Sequence, residues 1–295
     1  MRVTSQMMVE SAIRSMGTSL ERLSYLQKQV AQGKKIQEVS DGPATAVAGL
    51  SLRSTLTAGK AFLETATVSA AWMEANETAM SQMIDLATRA NNLVSQGLSD
   101  TLGAQQRHAL ATEISALLES AVTVANTSHQ GNFLFGGFKT QSAPFTLNEP
   151  PDSVTPPLDG GAIVREIGPG QTVRVNVDAR ALFSDLFESL IDARDALDAD
   201  NTTTLAAARQ DLAAALDQIS ESRSLNGARL RELERSVERM ERIDLDLRAL
   251  LTQIEEVDMT EAISLLRLQE TAYQAVLETS RRILNTPSLF EVISA

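Results

Sequence analysis

The chain has 295 residues, 43% hydrophobic but only 4% aromatic, with a formal net charge of −12 and no cysteine. The acidic balance and the absence of any long Lys/Arg run exclude a nucleic-acid partner held by a basic field. Missing cysteine excludes disulfides, thiolate catalysis and cysteine-held metals, and no apolar run is long enough for a membrane span or a cleavable secretory segment.

Near the start, Val9, Ile13, Met16, Leu20, Leu23, Gln27 and Val30 recur with alternating spacings of four and three. This spacing lays one stripe along a helix, the seam of a coiled coil, and predicts an amphipathic helix from about Thr4 to Gln32. Gly33 reads as its C′ residue. In Ser40-Asp41-Gly42-Pro43, Ser40 or Asp41 can cap a second helix and Pro43 fits its first turn. That helix runs from Ala44 to about Gly97, with Leu52, Leu56, Leu63, Met73, Met80, Met83, Ile84 and Leu93 near one face; Gly49 and Gly59 weaken it. A turn at Leu98 to Gly103 leads to a helix expected from Ala104 to His129.

The pattern changes at Gly131. Gly131-Asn132-Phe133-Leu134-Phe135-Gly136-Gly137-Phe138 is aromatic and glycine-rich, and five prolines from Pro144 to Pro157 rule out helix. Residues 162–167 and 172–177 read as two strands joined by Gly168-Pro169-Gly170. With few large apolar residues, this insertion is expected to contribute little to the helices and to project outward. Helix resumes at about Ala181, turns at Asp200-Asn201, and continues as an Ala-rich helix from Thr202 to Ser222. A long heptad run follows from Asn226: Leu230, Leu233, Val237, Met240, Asp244, Leu247, Leu251, Ile254 and Asp258, with the two aspartates read as polar intrusions at seam positions. A last seam takes Met259, Ile263, Leu266, Glu270, Tyr273, Leu277, Ser280 and Leu284. Pro287 ends it before an apolar tail that includes Leu289 and Phe290.

The fold class expected is mainly α: an elongated helical bundle with terminal coiled-coil arms and a small β insertion domain. Its domains are terminal arms at 1–42 and 258–295, a helical rod at 43–135 and 181–257, and the insertion at 136–180. The candidate assembly interface is the apolar set Val9, Ile13, Met16, Leu20, Leu23, Val30, Met259, Ile263, Leu266, Tyr273, Leu277, Leu284, Leu289 and Phe290.

No constellation for catalysis, a metal or a cofactor is expected. His108 and His129 are the only histidines, and a metal needs several converging ligands. Asp244 and Asp246 point to different faces of a helix and make poor acid–base partners. Neither a phosphate-binding nor a dinucleotide motif occurs. Met73, Met80 and Met83 read as core filler, and Trp72 reads as a bundle anchor, with an interface hot spot as the alternative.

The opening Met1-Arg2-Val3-Thr4, the Ser40–Pro43 turn and Ala125-Asn126-Thr127 leading to Gly131–Gly137 resemble the hook-associated protein 3 family of the bacterial flagellin superfamily. So do Val257-Asp258-Met259-Thr260-Glu261-Ala262 and Gln269-Glu270-Thr271-Ala272-Tyr273-Gln274-Ala275. The resemblance covers roughly residues 1–140 and 220–295. One departure is Gly42, where the family turn usually has a second acidic residue. The resemblance implies a structural subunit at the hook–filament junction of the bacterial flagellum, not an enzyme. It implies type III export to an extracellular structure, self-assembly as a ring through paired terminal helices, and an export chaperone. The neighbours implied are the first hook-associated protein and flagellin. The alternative is flagellin itself, the filament subunit.

Overall fold

The computed structural model describes residues 5–36, 38–148, 153–156 and 161–284. The opening Met1-Arg2-Val3-Thr4 and the tail with Leu289 and Phe290 lie outside the described residues. The chain is mainly helical, with three small two-stranded antiparallel sheets among the described residues. It divides into two compact units. One combines the residues up to Thr57 with those from Asp244 onward; the other spans Ala58–Ile243.

In the first unit, α1 (Ser5–Gln32) packs antiparallel on α6 (Met259–Leu284). Gly33 closes α1 at φ +68, a conformation open to glycine because it lacks Cβ. Its carbonyl accepts from Val257 N at 3.0 Å, and Lys35 N donates to Glu255 O at 2.7 Å. These bonds tie the α1 exit to the link before α6. Lys35 Nζ also donates to Gln253 O at 2.9 Å, a cation on the last carbonyls of α5 (Thr202–Glu255), where the helix dipole is negative. A 3-10 turn at Val39–Asp41 precedes α2 (Pro43–Gly97). Ala46 N donates to Gly42 O at 2.9 Å, so the first turn of α2 closes on the glycine that departs from the family pattern.

Asp258 has a different role from the one its heptad position suggested. Its Oδ1 accepts from Thr260 N at 2.8 Å and Glu261 N at 3.3 Å, which makes it the N-cap of α6. Asp244 remains on the less exposed face of α5 and is ion-paired to Arg248 at 2.6 Å.

The second unit is built on a core shared by α2, α3 (Ala104–Ala125), α4 (Ala179–Asp198) and α5. Many of its members are alanines: Ala79, Ala87 and Ala90 from α2, Ala111, Ala121 and Ala125 from α3, and Ala208 and Ala215 from α5. Small side chains let helix axes approach, and Met80, Met83, Ile114, Leu118, Leu186 and Leu212 fill the space between. Arg107 is buried at 7% exposure and holds two turns at once. Its Nε donates to Gly97 O at 2.8 Å, its Nη2 to Ser99 O at 3.1 Å, and its Nη1 to Asp200, which sits at φ +53 in the α4–α5 turn. Asn201 then caps α5, accepting from Thr203 N at 3.1 Å and Thr204 N at 3.2 Å. α5 runs unbroken from Thr202 to Glu255, through the point where the sequence suggested two segments.

α3 ends at Ala125, four residues before His129. The chain turns there because Asn126 is taken by another partner: its Nδ2 donates to Phe145 O at 2.8 Å and its Oδ1 accepts from Phe145 N at 3.0 Å. His129 lies in β1 (Ser128–His129), paired with β2 (Asn132–Phe133) across Gln130 at φ 51 and Gly131 at φ 79. Two positive φ values in a two-residue loop are the hairpin geometry that matches strand twist. β3 (Thr146–Asn148) pairs with β4 (Ser153–Thr155), and β5 (Val164–Gly168) with β6 (Gln171–Arg174).

The expectation that the insertion contributes little to the helices is overturned. Phe145 is 1% exposed and lies 5.3 Å from Phe187 and 6.0 Å from Phe183, ring centre to ring centre. Phe135 meets Phe183 edge-on at 4.9 Å. Leu147 and Val154 pack on the same core from β3 and β4. Ile167, Val173 and Val175 form a second cluster with Ala66 and Met73 of α2 and Leu233 of α5. Few large apolar residues are present among the described residues of the insertion, and apart from the exposed Phe138 and Val164 they pack in these two clusters.

Candidate functional site

The terminal helices meet through a narrow seam. On α1 its positions are Val9, Ala12, Met16, Ser19, Leu23, Leu26 and Val30, each buried or half-buried. On α6 they are Ala262, Leu266, Gln269, Tyr273, Val276 and Ser280. Both series alternate spacings of three and four, which is the coiled-coil period. Alanine and serine at alternate positions permit close approach. Gln269 Nε2 crosses the seam and donates to Ser19 O at 3.1 Å and to Ser19 Oγ at 3.0 Å. A polar pair at one seam position penalises other registers, because sliding the helices leaves it unpaired.

The structure divides the candidate interface residues between two stripes. Val9, Met16, Leu23, Val30, Leu266 and Tyr273 lie in the seam. Ile13 (60% exposed), Leu20 (51%), Met259 (43%), Ile263 (38%) and Leu277 (38%) do not. They sit one position beyond the seam residues Ala12, Ser19, Ala262 and Val276, or at the start of α6, and form a flanking apolar stripe on both helices. The side chain of Leu284, like Leu289 and Phe290, is outside the described residues.

Sequence reading missed Ala12, Ser19, Leu26, Ala262, Gln269 and Val276. A signal was present. The stripe through Ile13 and Leu20 reaches polar Gln27, whereas the stripe through Ala12 and Ser19 reaches Leu26. The larger side chains of the first stripe outweighed that difference.

The flanking stripe costs the free subunit solvation. Burying a side chain of the Leu or Ile class is worth about 1.5–3 kcal/mol, so several left open on paired helices favour contact with a further apolar surface. Leu265 and Leu268, 42% and 67% exposed, extend the apolar character of α6 around its other side. Among the described residues no group of three or more His, Asp or Glu could hold a metal ion, and no helix is long and apolar enough to cross a membrane. His108 is exposed on α3, its Nδ1 2.6 Å from Asp198 Oδ1. Trp72 packs against the main core and the second cluster.

Residues 3–140 match the family model of the bacterial flagellin N-terminal helical region. The chain is similar to flagellar hook-associated protein 3 of Salmonella typhimurium, 23% identical over 95% of this chain and 96% of that protein. Its fold is that of the FlgL structure from Bacillus cereus, with a TM-score of 0.60 and 19% identity over 68% of this chain and 99% of that one. The flagellar hook-associated protein-3 structure from Legionella pneumophila is similar too, with a TM-score of 0.60 and 14% identity over 69% and 98% of the two chains.

Proposed function

We propose that this chain, recognised as a relative of flagellar hook-associated protein 3 within the flagellin superfamily, is a structural subunit of the bacterial flagellum that joins hook to filament. The observation that carries the reading is the double use of the terminal helices. They pair with each other through small residues, and they keep Ile13, Leu20, Met259, Ile263 and Leu277 exposed for neighbours. A helix pair polymerises when its apolar flank packs on a different face of the next identical pair, and a head-to-tail contact of that kind gives a ring where the rotation closes. Leu284, Leu289 and Phe290 belong to the same proposed interface.

In this reading the subunit is exported to the extracellular flagellum with an export chaperone and assembles as a ring. The first hook-associated protein lies on one side and flagellin on the other. The domain division follows: terminal arms at 1–42 and 258–295 serve assembly, and the helical segments at 43–135 and 181–257, with the insertion at 136–180, form the outer part.

The test adds purified chain to isolated hooks that carry the first hook-associated protein, then supplies flagellin. Electron microscopy is expected to show a short collar on each hook end and filament growth only from collared hooks. Long filaments formed by the purified chain alone would favour the flagellin alternative.

A further inference from the structure

A pocket of about 220 Å3 lies in the Ala58–Ile243 unit where α2, the β1–β2 turn and the β5–β6 hairpin converge. Its polar lining is Ser69, Trp72, His129, Gln130, Asn132, Thr140 and Arg165, and among the described residues no carboxylate lines it, in a chain with 38 acidic residues against 26 basic ones. Three donors there are unspent. Trp72 Nε1 is buried with no hydrogen-bond partner among the described residues. The His129 ring stands edge-on to Trp72, centroids 6.3 Å apart and planes at 80°, and makes no hydrogen bond among the described residues. The Arg165 guanidinium likewise has no ion pair or hydrogen bond among them.

The fold places Arg165 at the pocket for a simple reason. Its cross-strand partner is Val173, and paired residues share a face of the hairpin. Val173 packs with Ala66 and Met73 of α2, so that face of the hairpin is the one turned to α2. The hydroxyl hydrogens of Ser69 and Thr140 are already given, to Thr65 O at 2.6 Å and Asn132 Oδ1 at 3.0 Å. What these three donors lack is an acceptor, and a negatively charged acceptor pairs most strongly with a guanidinium. A buried N–H without a partner is costly, so a ligand that supplies an acceptor there gains what the empty site forgoes.

We propose that this pocket binds a carboxylate the size of a sugar acid or an acidic side chain, with Arg165 taking the carboxylate group and Trp72 Nε1–H and His129 taking its remaining oxygens. The carboxylate has two possible sources: a free small molecule, or an Asp or Glu side chain of a neighbouring copy in the assembly. The second rests on the self-assembly proposed above.

Trp72 is the only tryptophan in the chain, so its fluorescence reports this pocket alone. The full chain is titrated with sodium glucuronate, with glucose, and with sodium chloride at matched ionic strength. If the source is free, glucuronate alone gives a saturable change in emission, and Arg165→Gln weakens it at least tenfold. The melting curve of that variant stays unchanged, because the Arg165 side chain is exposed and has no partner among the described residues. If the source is a neighbour, the free subunit is silent to glucuronate, and Trp72 emission shifts when the chain assembles, with assembly read separately by sedimentation. That shift is lost in an Arg165→Gln variant that still sediments as assembled. An equal response to glucose or chloride overturns the proposal, as does a response indifferent to Arg165→Gln. Silence in both the free and the sedimented states also overturns it, and leaves Trp72 Nε1–H to water.

Discussion

Asp258 and Phe145 each hold a place where the chain changes direction. The Asp258 carboxylate satisfies two N–H groups that would otherwise open the first turn of α6. Asp258→Ala is expected to cost about 1 kcal/mol, within the usual range for a lost N-cap, and Asp258→Asn to recover most of it. Thermal unfolding of the two variants checks this; equal losses would mean that charge, not the cap bond, is what matters. Phe145 is embedded more deeply, with its ring among Phe183 and Phe187 and its backbone clamped at both polar atoms by Asn126. Phe145→Ala is expected to cost about 3–5 kcal/mol, the range for removing a buried aromatic ring, read by denaturant titration. A loss under 1 kcal/mol would show that the surrounding rings collapse into the space. Neither role was legible in the sequence. An aspartate at a heptad position reads as a seam intrusion, and a phenylalanine between prolines has no periodicity to declare its partner.

Among the elements, α1 and α6 show what periodicity can and cannot give. The existence of both helices, their lengths and the spacing of their apolar positions were legible, since a three–four alternation has few other readings. The register of the seam was not, because two stripes one residue apart satisfy the same period through Val9, Met16, Leu23 and Val30. Choosing between them needs the partner helix. Small residues win on the side that must come close, as Ala12 and Ser19 face α6, and large ones are left on the flank. That division makes two substitutions on one helix behave differently. Leu20 is 51% exposed, so Leu20→Asp is expected to change the melting of the free subunit by no more than about 0.5 kcal/mol. It should nevertheless abolish assembly on hooks. Leu23 is 9% exposed, and Leu23→Asp places a charge in the seam at a cost of several kcal/mol. Circular dichroism should then show lost helicity in the free subunit. If Leu20→Asp assembles normally, the flanking stripe is not the contact between neighbours.

At the scale of the whole molecule, the insertion carries the clearest difference between pattern and packing. Its helix-breaking residues and its hairpins were legible, from the prolines and from Gly168-Pro169-Gly170. Its docking was not, because the apolar residues that dock it are scattered singly among polar ones: Phe145, Leu147, Val154, Ile167, Val173 and Val175. Each is half-buried or buried, and together they contact α2, α3, α4 and α5 through two clusters. The polar bonds run the same way. Asn76 Nδ2 of α2 donates to Val175 O at 3.0 Å, and Asn176 holds the strand ends together by accepting from Ile163 N and donating to Gly161 O, both at 2.7 Å. Replacing residues 141–178 with a short Gly/Ser linker therefore removes Phe145, Ile167, Val173, Val175 and Val177 and uncovers Met73, Phe183 and Phe187. The loss of Phe145 alone is worth about 3–5 kcal/mol, and for a unit of this size each kcal/mol lowers the melting temperature by about 2–4 °C. The variant is expected to melt at least roughly 10 °C lower on that scaling and to bind a hydrophobic dye before it unfolds. A shorter graft separates packing from any contact with neighbours. Replacing only the Pro169-Gly170 turn with Asn-Gly keeps every docking residue and should keep the melting temperature. If the long replacement melts as the intact chain does, the two clusters do not hold the helices together and the insertion is dispensable to the fold.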